Sequence, residues 1–177
     1  MSTTAQEYQE VIAHCKDIFI KKTADYGTSW RVLRPISIVD QIYIKAQRIR
    51  TIQNLGKQKV DDELIGEWMG IVNYGLIALI QDELEGNENW ELGKDETERL
   101  YDRHLQETKE LMMAKNHDYG EAWRNMSQES FADLILTKIL RIKQILANQG
   151  KTTVSEGIDA NFRDIINYAV FAQILSK

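Results

Sequence analysis

One proline, one cysteine and no surplus of positive charge set the first limits on this 177-residue chain. The single Cys15 excludes an internal disulfide and a thiolate metal cage. Its place on an apolar helical stripe reads as a buried thiol. Lysine and arginine total 22 against 27 aspartates and glutamates, a net charge of −5. With no basic surplus to neutralise a phosphate backbone, general nucleic-acid binding is not expected, although local basic patches stay open. The most apolar stretch, Ile71 to Ile80, is short for a bilayer span and carries Asn73. The opening MSTTAQEYQE has no signal-peptide pattern. The expected location is therefore the cytoplasm, with no membrane partner.

Several chemistries lack their residues. There is no P-loop and no G-x-G-x-x-G. None of His14, His104 and His117 stands in an E-x-x-H pair, which argues against a helical di-iron site. No serine or cysteine has a plausible histidine partner for nucleophilic catalysis. Strand-like alternation is missing too, and apolar residues instead recur at spacings of three and four, as in Tyr8, Val11, Ile12, Cys15, Ile18 and Phe19. That run should stop at Gly27. A second should begin with Ser37 and Asp40, a variant capping box, and end at Gly56. A third spans about Asp61 to Leu84. After the polar stretch EGNENWELGKDE the order repeats, with runs ending at Gly120, from Ser130 to about Gln149, and from about Val154 to Leu175. The fold class is all-α.

The repetition extends to individual residues. KTADYGTSWR begins at Lys22 and KNHDYGEAWR at Lys115. Tyr8 aligns with Tyr101, Ser37 with Ser130 and Asp40 with Asp133. Lys45 and Arg48 align with Lys138 and Arg141, and Asn73-Tyr74 with Asn167-Tyr168. The chain reads as a tandem duplication of a three-helix unit: a first repeat over 1–84, a connector over 85–96 and a second repeat over 97–177. Two units are too few for a solenoid. A pseudo-twofold bundle that imitates a homodimer is the expected arrangement.

Each shared feature has a packing reading and a binding reading. Asp25-Tyr26-Gly27 with Trp30, and Asp118-Tyr119 with Trp123, form either a helix terminus folded onto the core or an aromatic pocket for a base. In the pocket, Asp would accept from an exocyclic amine. Lys45 and Arg48, like Lys138 and Arg141, leave one helical face and suit either ion pairs or a phosphate clamp. On the third helix Glu63, Glu67 and Gly70 align with Gly157, Asn161 and Asp164, with Glu156 and Asp159 nearby. Carboxylates at that spacing can hold Mg²⁺. Neither copy keeps both members of an E-x-x-D pair. Asn73 and Asn167, amid apolar residues, need partners, whether across helices or in a ligand.

These residues resemble the nucleotide modification associated domain 1 family, whose pattern is K-x-x-DYG-x-x-W, D-x-x-x-x-K-x-x-RI, and an acidic segment leading to D-x-x-NY. The second copy matches at Lys115, Asp118, Tyr119, Gly120, Trp123, Asp133, Lys138, Arg141, Glu156, Asp164, Asn167 and Tyr168. The first departs at Gly70. That family is similar, more distantly, to MazG-type and dimeric dUTPase-type all-α pyrophosphohydrolases, which cleave nucleoside triphosphates with carboxylate-bound Mg²⁺. The resemblance implies catalytic Glu156 and Asp164, and Mg²⁺ on Glu156, Asp159 and Asp164, with Glu63 and Glu67. It implies phosphate contacts from Lys45, Arg48, Lys138 and Arg141. The base would lie against Tyr119 and Trp123, or Tyr26 and Trp30, near Asp25, Asp118, Asn167 and Tyr168. The dimeric habit of such enzymes leaves a homodimer open. The alternatives are a module that binds a nucleotide or modified base without turnover, and a purely structural scaffold.

Overall fold

The computed structural model describes residues 3–56, 64–151 and 157–177. They form six α-helices: α1 (Thr4–Tyr26), α2 (Pro35–Leu55), α3 (Leu64–Glu83), α4 (Lys94–Tyr119), α5 (Gln128–Ala147) and α6 (Ile158–Leu175). A 3-10 turn follows α1 at Ser29–Val32 and another follows α4 at Ala122–Asn125. No strand occurs among the described residues, so the chain is all-α.

Each helix end has a local cause. Thr3 caps α1 through a reciprocal capping box with Gln6. Gly27 and Gly120 end α1 and α4 at φ of 62° and 65°, a region that disfavours side chains. The second run of each repeat begins earlier than its pattern suggested. α2 starts at Pro35, because proline fits the first helical turn where the missing N–H has no partner to lose, and Ser37 lies inside the helix. α5 starts at Gln128, capped by Ser127, whose hydroxyl accepts from the Ser130 backbone N–H. α4 begins at Lys94, inside the polar stretch expected to be connector. Asp61, Glu63, Val154 and Glu156 lie outside the described residues.

α2, α3, α5 and α6 form the centre, with α3 against α6 and α2 against α5 across the repeats. α1 packs on both α3 and α6, and α4 likewise. Exchanging the repeats maps this pattern onto itself, as a pseudo-twofold axis requires. α3 as a whole is long and apolar enough to cross a membrane by composition. Its buried face, including Trp68, Ile71, Val72 and Leu76, lies in the same core as Phe131, Phe162 and Ile165.

Exchanging the repeats also relates two matching buried networks. Tyr101 donates its hydroxyl to Asn73 Oδ1 at 2.8 Å, and Asn73 Nδ2 donates to the Cys15 carbonyl at 3.0 Å. Tyr8 donates to Asn167 Oδ1 at 2.7 Å, and Asn167 Nδ2 donates to the Thr108 carbonyl at 3.3 Å. Cys15 and Thr108 occupy equivalent positions. Each repeat thus lends a tyrosine from its first helix to the asparagine of the other.

α3 and α4 also share a charged contact. His104 is buried, with Nε2 3.4 Å from Glu83 Oε2. Arg103 also bonds Glu83. Burial pulls the His104 imidazole below its ordinary value, against the nearby Glu83 charge, while Arg103 and His104 hold the Glu83 carboxyl below its own. For both groups the folded state binds protons less readily than the unfolded state. The stability each contributes is present above its unfolded value and is lost as pH falls through its folded value. Acidification below about pH 6.5 should therefore lower the melting temperature. His104→Gln should flatten the first part of that decline in a melting series across pH, and an unchanged slope would show that His104 does not drive it.

Candidate functional site

The DYG-x-x-W phrase ends the first helix of each repeat and turns the chain over the third. Its arginine reaches the other repeat, Arg31 to the segment that leads into α4 and Arg124 to the first turn of α1. Arg31 donates to the carbonyls of Asn87 and Asn89 at 2.8 and 3.1 Å and bonds Gln81. Thr28 donates to the Trp90 carbonyl at 2.8 Å. Arg124 donates to Glu7 and to Thr4 Oγ1, both at 2.7 Å. The two phrases thus brace each other's repeats, and beneath each lies a cavity.

The second-repeat cavity is small, about 150 Å³, and its polar groups are largely engaged. Phe171 stacks on Trp123 at 4.1 Å and 4°, and the Arg124 guanidinium lies 4.5 Å from the same ring. Trp123 Nε1 donates to Asn116 Oδ1 at 3.1 Å. Asp164, buried at the cavity edge, accepts from Lys115 at 2.8 Å through Oδ1 and pairs with Lys138 at 2.9 Å through Oδ2. One carboxylate is thus held by two ammonium groups, one per oxygen.

The first-repeat cavity measures about 770 Å³, in the range of small-molecule sites. Its enlargement follows from three substitutions between equivalent positions: Ile77 for Phe171, Gly70 for Asp164 and Thr23 for Asn116. Ile77 offers Trp30 no stacking ring. Thr23 spends its hydroxyl on the Phe19 carbonyl at 2.8 Å, and Trp30 Nε1 is buried without a hydrogen-bond partner among the described residues. An unpaired buried donor of this kind costs about 1–3 kcal/mol. Lys22 and Lys45 line the cavity with Phe19, Tyr26, Trp30 and Tyr74, and no carboxylate does among the described residues. Lys22 makes no ion pair among the described residues. A Cβ placed on Gly70 would meet Lys45 Cε at 2.8 Å and Nζ at 3.1 Å, so the Lys45 chain occupies the room that an aspartate would take. Glu67 lies 3.8 Å from Lys45 Nζ but 3.0 Å from Arg48 Nη1, and its closer partner is the arginine.

The cationic pairs therefore divide. Lys45 reaches its cavity and Arg48 turns to Glu67. Lys138 holds Asp164, and Arg141 is exposed without an ion pair among the described residues. Asp25 and Asp118 are exposed and line neither cavity, and Asp118 faces His117 at 3.1 Å. Tyr26 and Tyr119 stand 70% and 75% exposed at the cavity mouths. Tyr168 and Asn167 line the smaller cavity, the asparagine already bonded to Tyr8. Burial, with Asp164 nearby, raises the Tyr168 phenol above its ordinary value. Asp159 is exposed in the first turn of α6, and Glu63 and Glu156 lie outside the described residues. Among the described residues no three His, Cys, Asp or Glu side chains converge on a common point. Both Asp164 oxygens already face lysines, so these residues do not fit a Mg²⁺ site by themselves.

Lys22, Lys115 and Tyr74 were not singled out as site residues from the sequence. The signal was present in the identity of Lys22 and Lys115 across the repeats. A family model described as nucleotide modification associated domain 1 matches residues 22–81 and again residues 115–175. No curated protein and no solved structure matches. The two matched regions together make up more than half of the chain, which belongs to that family and carries its domain twice.

Proposed function

We propose that this member of the nucleotide modification associated domain 1 family recognises a nucleotide, and that the first-repeat cavity is where it does so. The observation that carries the reading is the lining of that cavity. Two lysines and four aromatic rings, those of Phe19, Tyr26, Trp30 and Tyr74, line about 770 Å³, with no carboxylate among the described residues of the lining. A nucleotide offers the matching parts. Its ring is a flat apolar body for Tyr26, Trp30 or Tyr74 to cover, and its ring and sugar oxygens are acceptors for the idle Trp30 N–H. Its phosphate would bring an anion to Lys22, which makes no ion pair among the described residues, and to Lys45, whose carboxylate neighbour Glu67 is 3.8 Å away. A protein of net charge −5 would repel anions at long range, so binding rests on this local pair rather than on general attraction.

The proposal is for recognition. Calorimetric titration with ribo- and deoxyribonucleotides, modified pyrimidines included, in Mg²⁺ and in chelator, should find binding that survives chelation and weakens in Trp30→Ala. Absence of binding across the panel would sink the reading. Pyrophosphate release that requires Mg²⁺ would turn recognition into catalysis by the MazG-type chemistry.

A further inference from the structure

The two cavities differ at one decisive position. In the second repeat the Asp164 carboxylate stands between Lys115 and Lys138, at 2.8 and 2.9 Å. In the first, Lys22 and Lys45 hold the equivalent positions, and Gly70 replaces the aspartate. The cations have stayed while the anion has gone. The Lys45 side chain lies over Gly70, in the space an aspartate would fill. Glu67, the nearest carboxylate to Lys45 among the described residues, is 3.8 Å away and lies closer to Arg48, at 3.0 Å.

From this asymmetry we infer that the first-repeat cavity takes a phosphate monoester, a nucleoside monophosphate, with the phosphoryl group beside the Lys45 ammonium and shared with Lys22, the role that Asp164 fills as the protein's own anion for Lys115 and Lys138 in the other repeat. The inference rests on the nucleotide reading above and narrows it. Charge sets the class. Lys22 and Lys45 are the only cations on the lining among the described residues, and two ammonium groups match the two charges of one phosphate monoester. A triphosphate would bring further charge into a cavity whose described lining holds no more cations to meet it. Gly70 is then the specificity-determining residue. Any side chain there displaces Lys45, and an aspartate would rebuild the closed arrangement of the second repeat.

The test is calorimetry of the whole chain with a nucleoside, its monophosphate, its triphosphate and inorganic phosphate, on wild type, Gly70→Asp and Lys22→Ala. The monophosphate should bind wild type with one site per chain, about tenfold or more tighter than the nucleoside, and the triphosphate should gain nothing further without Mg²⁺. Gly70→Asp should erase the preference for the monophosphate. Lys22→Ala, an exposed change that leaves packing intact, should reduce that preference while nucleoside binding stays. Equal binding of nucleoside and monophosphate, or a triphosphate tenfold tighter, would overturn the phosphate seat but leave nucleotide recognition standing. Inorganic phosphate that binds wild type and not Gly70→Asp, with no nucleotide bound, would keep the seat and overturn the nucleotide reading. No binding of any of the four would overturn both.

Discussion

Replacing Asn73 with alanine should destabilise the fold by about 2–4 kcal/mol, read as a fall in the urea midpoint with the slope unchanged. Asn73 is buried and spans two helices of different origin, accepting from Tyr101 of α4 and donating to the Cys15 carbonyl of α1. Removing it orphans the Tyr101 hydroxyl at a position with no exposure. That hydroxyl cannot escape the cost by ionising, because burial holds its pKa well above the ordinary value for tyrosine. The missing side chain adds a cavity cost to the lost bonds. The test of this account is the second mutation. Tyr101→Phe should cost about 1–2 kcal/mol in the wild type and far less once Asn73 is gone, since no acceptor then remains to be disappointed. A loss below about 1 kcal/mol for Asn73→Ala, or strict additivity of the two changes, would mean that the network contributes little.

This network shows how far the sequence could be followed. The spacing of apolar residues gave the helices, and comparing the two repeats picked out Asn73, Asn167, Tyr8 and Tyr101. Nothing in the spacing says that Tyr8 reaches Asn167 while Tyr101 reaches Asn73. Two identical units offer the same partners within a repeat and between repeats, and only packing about the axis decides. The helix starts at Pro35 and Gln128 were hidden for a different reason. Ser37 and Ser130 look like caps from their neighbours, yet proline and Ser127 begin the helix sooner. At the site, Gly70 is visible in the sequence as the missing half of an acidic pair, the pattern of a lost metal ligand. The structure places its counterpart Asp164 against two lysines instead. Carboxylates for a metal and carboxylates for an ion pair share one spacing, so side-chain geometry was needed to tell them apart. The cavity itself was illegible. It arises from Ile77, Thr23 and Gly70 acting together, each unremarkable alone, against Phe171, Asn116 and Asp164 in the other repeat.

Gly75→Ala should reverse its sign with the residue opposite. In the wild type a Cβ at Gly75 would stand 2.6 Å from Ile166 Cγ1 and 3.1 Å from its Cδ1, across the contact of α3 with α6. Ile166 is fully buried, so overpacking should cost about 1–3 kcal/mol. Alanine's better helix propensity returns up to about 1 kcal/mol, which leaves a net loss. Ile166→Ala alone should cost about 2–5 kcal/mol through the cavity it leaves. In that background the clash is gone, and Gly75→Ala both fills space and favours the helix, so it should now stabilise. Denaturation of the four proteins of this cycle gives the coupling, expected at about 2 kcal/mol. If Gly75→Ala has the same effect in both backgrounds, the close approach of these helices does not limit packing. The repeats themselves suggest that it does. Gly75 aligns with Ala169 and Ile166 with Val72, so the repeat with the smaller residue at one position faces the larger residue of its partner. By the same equivalence the counterpart pair is Val72 with Ala169, both fully buried. Glycine with isoleucine and alanine with valine carry the same number of side-chain carbons. Once duplicated units share one chain they are free to diverge, but at their common axis they can do so only in compensating pairs.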